Sequence, residues 1–188
     1  MIFVGKAPYR VSLLGGGSDL DWFVKEKGFG ICFGFALKEY SYSVLNILPK
    51  NARNGMIDYS TREIYDDIND IAHPLIREVL KDLKISQYIE LKTFGFASGG
   101  SGLGGSSSFL LSLLSAISKG FKFNLSDKEI VEKACEIELL KLNKLIGKQD
   151  QYLCGNGGFN SFSFFADEKV KRNDISDAKL KTLSRLVD

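Results

Sequence analysis

The chain is short of the residues that usually announce catalysis. Its 188 residues include one histidine, one tryptophan and three prolines. The single histidine, His73, stands before Pro74 at a helix start and is read as a loop residue rather than a catalyst. Cys32, Cys135 and Cys154 are odd in number and lack C-x-x-C spacing, which argues against a disulfide framework or a zinc site and fits reduced thiols in a cytosolic core. Charge of one sign is missing too. With 25 Lys plus Arg against 23 Asp plus Glu, the net charge of +2 gives no general field for nucleic acid or a membrane surface. No apolar run reaches spanning length, and Met1-Ile2-Phe3-Val4-Gly5-Lys6 lacks the order of a signal peptide, so a cytoplasmic location is expected. No internal repeat is seen. What the chain does have is apolar content, 44% hydrophobic, enough for one sizeable packed domain.

It also has a glycine loop. Residues 98 to 108 read Ser-Gly-Gly-Ser-Gly-Leu-Gly-Gly-Ser-Ser-Ser and run into the apolar helix Phe109 to Ile117. Glycines let backbone N–H groups approach a ligand closely, and a helix starting near Gly105 adds the positive end of its dipole, so the segment is suited to a phosphate. The serine hydroxyls at the helix start can bond that phosphate or a magnesium ion riding on it. Other readings compete. Gly100-Ser-Gly102-Leu-Gly104-Gly105 formally satisfies the dinucleotide pattern, but the acidic residue that should follow a second strand has only Asp127 in range, beside Ser126 at the next helix start. A Walker loop fails because no lysine follows the glycines, and a flexible linker fits poorly with the apolar helix behind it.

Elsewhere the patterns alternate between strand and helix. Short strands are expected at Ile2 to Gly5 and Arg10 to Leu14, around Lys6-Ala7-Pro8-Tyr9, and then a sharp turn at Gly15-Gly16-Gly17-Ser18-Asp19. Ser18 or Asp19 is placed to cap a short helix over Leu20 to Lys25 that Gly28 and Gly30 close. Ile31 to Leu37 and Glu39 to Leu48 read as strands, the latter with two mixed faces that leave its core side open. Asn51 to Asp70 reads as short edge strands or a loop, Pro74 to Lys84 as an amphipathic helix, and Tyr88 to Phe94 as the strand leading into the glycines. Ser126 and Glu129 stand at capping-box spacing before a long helix whose apolar side is Ile130, Ala134, Ile137 and Leu140. Gly157-Gly158 introduces a strand over Phe159 to Phe165, placed to pair back with the amino-terminal sheet. Residues 167–188 form a charged tail with a helical pattern at Leu180, Leu183 and Leu186. Mixed elements in this order point to an α+β fold.

Three segments in sequence order resemble the GHMP kinases, and most closely their D-glycero-D-manno-heptose 7-phosphate kinase branch. They are Ala7-Pro8-Tyr9-Arg10-Val11-Ser12-Leu13-Leu14-Gly15-Gly16-Gly17-Ser18-Asp19-Leu20, then Gly100 to Ser108, then Glu136-Ile137-Glu138 followed by Gly147-Lys148-Gln149-Asp150-Gln151-Tyr152 and Gly157-Gly158-Phe159-Asn160. The resemblance covers about residues 1–166, the amino-terminal half of such a kinase. It implies the ribosomal protein S5 domain 2-like α+β fold, with 167–188 leading toward a carboxy-terminal domain. It also implies ATP-dependent phosphorylation of a sugar or sugar phosphate, a heptose 7-phosphate first, in surface polysaccharide biosynthesis.

Roles follow from the same resemblance. Gly100, Ser101, Gly102, Leu103, Gly104, Gly105, Ser106 and Ser107 would hold the ATP phosphates, with Mg²⁺ on Ser106 and Glu138. Asp150 would face the acceptor hydroxyl as base or orienting charge, and Arg10 would neutralise the transferring phosphoryl or hold Asp150 ionised. Gly16, Gly17, Ser18 and Asp19 would bind sugar hydroxyls, with Lys148 and Gln149 as further substrate contacts. The chain departs from the family at Ser98-Gly99, where a proline is common, and at Gly105, where a serine or threonine is usual. Two rivals are carried forward. One is a ligand-binding module without turnover, completed or not by a second copy or a separate carboxy-terminal half, and the other is a dinucleotide-binding oxidoreductase fragment.

Overall fold

A computed structural model describes residues 1–95 and 100–175. Ser98 and Gly99, and the helical pattern at Leu180, Leu183 and Leu186, lie outside the described residues. Strand β1 (Ile2–Leu14) is one continuous strand where two were expected. Pro8 interrupts nothing because, among the described residues, β1 pairs with no strand but β2 (Phe29–Ile47), and that ladder is bulged between Pro8 and Arg10. The bulge breaks the alternation of side chains. Tyr9 and Arg10 are consequently buried in succession, at 2% and 8% exposure.

Strand β2 likewise joins two expected strands into a 19-residue run. β1 follows it along one edge. The other edge is shared, with β6 (Phe159–Phe165) opposite Phe29 to Phe35 and β5 (Ile89–Phe94) opposite Tyr42 to Ile47. The mixed faces of 40–47 resolve with Ser41, Ser43 and Leu45 inward. Burial of Ser43 is made tolerable by a 2.8 Å hydrogen bond between its Oγ and that of Ser112. The polar stretch after residue 50 contains a short antiparallel pair, β3 (Gly55–Asp58) and β4 (Arg62–Tyr65). The sheet has seven strands in the order β4-β3-β5-β2-β6-β7, with β1 beside β2. Strand β7 (Val170–Asn173) extends the sheet past residue 166, into the segment read from sequence as a helical tail.

Helices cover one face. Helix α1 (Asp21–Lys27) begins at Leu20 without a side-chain cap, so neither Ser18 nor Asp19 caps it, and left-handed Gly28 ends it. Helix α2 (Pro74–Asp82) has Pro in its first turn and buries Leu75, Ile76, Val79 and Leu80. Helix α3 (Gly105–Gly120) is the centre of the core, burying Leu110, Leu113, Leu114 and Ile117 against Leu45, Ile57 and Leu91. It lies so close to β1 that a Cβ on Gly5 would meet the carbonyl oxygen of Ser112 at 2.0 Å. The opposite face of the sheet shows Val4, Ile31, Tyr42 and Phe94 to solvent.

Helix α4 (Asp127–Cys135) starts with the expected capping box, Ser126 and Glu129 each bonding the other's backbone N–H. The long helix expected there changes character at Glu136. Glu136–Lys141 is a π-turn, seen in the bond from Leu142 N to Ile137 O. The wider turn rotates the residues after it, so Leu140 leaves the apolar side and is 67% exposed, while Glu138 is fully buried. Helix α5 (Gln149–Asn156) was not expected from the sequence. The dinucleotide reading fails at this level. Strand β5 is parallel only to β3, which precedes it, so among the described residues no parallel strand follows the glycine loop across a helix.

Candidate active site

The glycine loop delivers the start of α3 to one end of the sheet. Gly100, Gly102 and Gly104 have φ of +81°, +74° and +70°, the left-handed region that residues with a Cβ enter at a cost. Gly104 is the N-cap of α3 and supplies no side-chain cap, so the N–H groups of the first turn, from Gly105, Ser106 and Ser107, are left for a ligand. Ser106 is exposed, whereas Ser107 is buried. Leu103 and Gly102 face inward through their carbonyls, which accept from Arg10 N at 3.0 Å and Arg10 Nη1 at 2.5 Å. Ser101 Oγ accepts weakly from Leu103 N at 3.4 Å and so stays within the loop.

Arg10 joins this loop to Asp150. Its Nε donates to Oδ1 at 2.8 Å and its Nη2 lies 2.6 Å from Oδ2, a bidentate pair. Asp150 stands in the first turn of α5, where the helix dipole favours its charge, and keeps 29% of its side chain exposed. One side of the carboxylate is therefore held and the other is open. Cys154, four residues on, packs buried beneath Gly104, and burial pushes its thiol up.

The amino-terminal turn holds α5 in place. Asp19, 5% exposed, accepts from Gln149 N at 2.8 Å and Gln149 Nε2 at 3.2 Å, and Gln149 Oε1 accepts from Ser12 Oγ at 2.7 Å. Burial raises the Asp19 carboxyl above its usual range, against the opposing pull of the Gln149 N–H. Ser18 Oγ shares its one proton between the carbonyls of Gly15 and Ile31, at 2.8 and 2.7 Å, and accepts from Ile31 N at 3.1 Å. Both side chains read from sequence as sugar contacts thus make their hydrogen bonds inside the protein. Gly16 and Gly17 form the surface of the same turn, with Gly16 next to the Gln149 amide. Lys148 reaches Glu168 at 3.8 Å, beyond β6.

Glu138 is the most enclosed charge here. It has no exposed surface, and four side chains converge on it: Ser106 Oγ at 2.7 Å and Lys144 Nζ at 2.7 Å on Oε1, Ser107 Oγ at 3.0 Å and Gln151 Nε2 at 2.6 Å on Oε2. Lys144 Nζ also donates to Ser106 Oγ at 3.0 Å. The π-turn is what aims Glu138 at these groups. Ser106 Oγ and Glu138 Oε1, joined by a 2.7 Å hydrogen bond, form a hydroxyl–carboxylate pair of hard oxygens of the kind Mg²⁺ takes alongside phosphate oxygens and waters. The donor set fits Mg²⁺. Among the described residues no group of three or more His, Cys, Asp or Glu gathers to hold a metal ion.

A cleft of about 380 Å³ opens beside the loop, walled by Tyr9, Tyr59, His73, Phe94 and Phe109 and floored by Gly105 and Ser106. His73 is sandwiched edge-on between Tyr59 and Phe109, burial depresses its pKa, and its Nδ1 is buried without a partner. Sequence reasoning missed Lys144 and Gln151 as site residues. Gln151 carried a signal, lying inside the Gly147 to Tyr152 motif, but Lys144 carried none, because a single lysine in a polar connector has no pattern.

Similarity to known proteins runs over most of the chain. Residues 71–158 match the family described as the GHMP kinases N terminal domain. The chain is 29% identical over 180 residues to the D-glycero-alpha-D-manno-heptose 7-phosphate kinase of Campylobacter jejuni, a match covering 90% of this chain and 53% of that protein. Its fold is similar to the crystal structure of a D-glycero-D-manno-heptose 1-phosphate kinase from Bacteroides thetaiotaomicron, with a TM-score of 0.81, 26% identity, and 94% and 60% of the two chains covered. The galactokinase of Lactococcus lactis shares the fold at a TM-score of 0.71 and 16% identity, over 93% of this chain and 47% of that one. The chain spans about half the length of the curated relative it matches. Among the described residues no helix is long and apolar enough to cross a membrane.

Proposed function

We propose that this chain, whose residues 71–158 match the GHMP kinases N terminal domain, serves ATP-dependent phosphorylation of a sugar phosphate, with a D-glycero-D-manno-heptose 7-phosphate as the first acceptor to test. One observation carries the reading. The Arg10–Asp150 pair ties a half-open carboxylate to the rim of a phosphate-binding loop, so that an acceptor hydroxyl on Asp150 lies beside the transferable phosphate. The heptose acceptor is suggested by the names of two relatives, both heptose-phosphate kinases.

In this reading the first-turn N–H groups of α3 and the glycine loop hold the β- and γ-phosphates, and the aromatic cleft beside Ser106 receives the nucleoside. Ser106 and Glu138 would hold Mg²⁺, which when bound neutralises phosphate charge. Asp150 accepts a hydrogen bond from the acceptor hydroxyl on its open side. As that oxygen bonds to the γ-phosphorus and ADP departs, the hydroxyl proton passes to Asp150. Arg10 fixes the carboxylate by its two donors and keeps positive charge next to the transferring group. The Gly16-Gly17 turn and Lys148 border the acceptor side, and Asp19 acts through Gln149 by fixing the start of α5.

The test is Mg²⁺-dependent ADP release with D-glycero-D-manno-heptose 7-phosphate, with mannose and fucose alongside. Heptose-dependent release is expected. Mg-ATP binding without release on any acceptor would replace the proposal with a second reading, a ligand-binding domain whose turnover needs further chain. That reading is favoured by the 53% coverage of the curated relative.

A further inference from the structure

The oxygen pair assigned to Mg²⁺ has a neighbour that the kinase reading does not use. Lys144 Nζ sits 2.7 Å from Glu138 Oε1 and 3.0 Å from Ser106 Oγ, so the same two oxygens already share a positive charge. The environment leaves little room for a second. Glu138 has no exposed surface, and on its far oxygen Ser107 and Gln151 are themselves buried, at 2% and 0% exposure. Between this carboxylate and solvent stand Ser106, which is exposed, and the Lys144 side chain, which is 31% exposed. An ion arriving from solvent therefore meets the ammonium first.

The attachment of Lys144 suits a movable charge. Its backbone N–H bonds to Glu138 O at 3.0 Å, which anchors the base of the side chain at the end of the π-turn. Beyond that anchor lie four methylenes and a rotatable ammonium, with the α3 N-terminus within reach across Ser106. We propose that Lys144 is a tethered cation that occupies the Ser106–Glu138 oxygen pair in the nucleotide-free chain and competes there with a divalent ion. A buried carboxylate without a counter-charge is costly, so the lysine keeps Glu138 paired between ligands and makes binding of a bare ion weak. An ion delivered on a nucleotide is favoured, because the phosphates offer the displaced ammonium a new partner. The inference rests on the kinase reading for the identity of the ion, but not for the competition itself.

Mn²⁺ binding followed by electron paramagnetic resonance, without nucleotide, reads the competition directly. Lys144→Met should bind Mn²⁺ at least tenfold more tightly than the wild-type chain, and Lys144→Gln, which keeps a donor for Glu138, should show a gain of the same sign. The gain should vanish in the Lys144→Met/Glu138→Gln double variant. If Lys144→Met folds only when Mn²⁺ is added, that too is the expected exchange of one cation for another, seen by circular dichroism. Equal Mn²⁺ affinity in wild type and both variants, undetectable binding in all of them, or a gain that persists in the double variant would overturn the proposal. A separate titration of wild type with Mg-ATP keeps the two readings apart. Failure there removes the kinase reading, while the Mn²⁺ difference still reports on Lys144.

Discussion

The carboxylate of Asp19 occupies the space in which a side chain at residue 147 would begin. A Cβ on Gly147 would lie 1.8 Å from Asp19 Oδ2 and 2.2 Å from its Cγ. This contact lets the amino-terminal turn reach the backbone of α5. Gly147→Ala must push Asp19 off Gln149, and overpacking of this kind costs about 1–3 kcal/mol. A lowered melting midpoint is expected, together with weaker acceptor binding, while nucleotide binding at the α3 end is little changed. An unaltered melt would show that Asp19 does not hold α5.

Asp150→Asn keeps the shape of the pair but loses the base. Turnover should fall by about 10²–10⁴-fold, and Mg-ATP affinity should stay within a few-fold of wild type. Steady-state ADP release and nucleotide titration check the two halves. Retained turnover with lost ATP binding would contradict the assignment.

The loop glycines separate backbone strain from contact. Gly102→Ala places a Cβ in open space at φ +74°, so it suffers only the left-handed conformation, about 1–2 kcal/mol. Gly104→Ala has a similar φ of +70° and also meets Arg10 Cγ at 2.9 Å. It should be the more destabilising of the two in chemical denaturation, and it alone should depress turnover through Arg10. Equal effects would mean that the Arg10 contact is of no consequence.

Acid should find one weak point away from the site. Burial works to raise the Asp82 carboxyl, but Lys133 at 2.9 Å and Lys141 at 3.4 Å outweigh it and hold the group below its usual value. With the folded pKa below the unfolded one, the stabilisation is fully present above the unfolded value of 3.8 and is lost as pH falls through the folded pKa. Asp82→Asn should therefore cost about 1 kcal/mol at pH 7, given the exposure of Lys141. The gap between mutant and wild type should close in strong acid. A gap independent of pH would assign the loss to packing.

Much of this architecture was written locally, and the rest needed contacts that no local pattern records. The loop and α3 were legible because glycine run, serine cluster and apolar helix follow in order, and α4 because Ser126 and Glu129 stand at capping spacing. Helix α5 was invisible, since Gln149–Asn156 has almost no apolar periodicity and is held by Asp19 from 130 residues away. Pro8 suggested a break that an edge position and a bulge made unnecessary. Asp19 reads as a substrate ligand because a short acid on a glycine turn resembles one, and that pattern does not show its hydrogen bonds to Gln149. Its partner, the Gln149 backbone, offers nothing in the sequence to read.

The extra residue in Glu136–Lys141 acts as a phase shift in a periodic signal. An α-helix advances about 100° per residue, and this wider turn takes up one residue more than that period allows, so removing one residue between Ile137 and Leu142 would restore the ordinary period and abolish the local widening. A single-residue deletion there would produce a more regular helix without the turn that aims Glu138 at Ser106, Ser107 and Gln151. Regularity of the helix and the enclosure of Glu138 are opposed at this one turn.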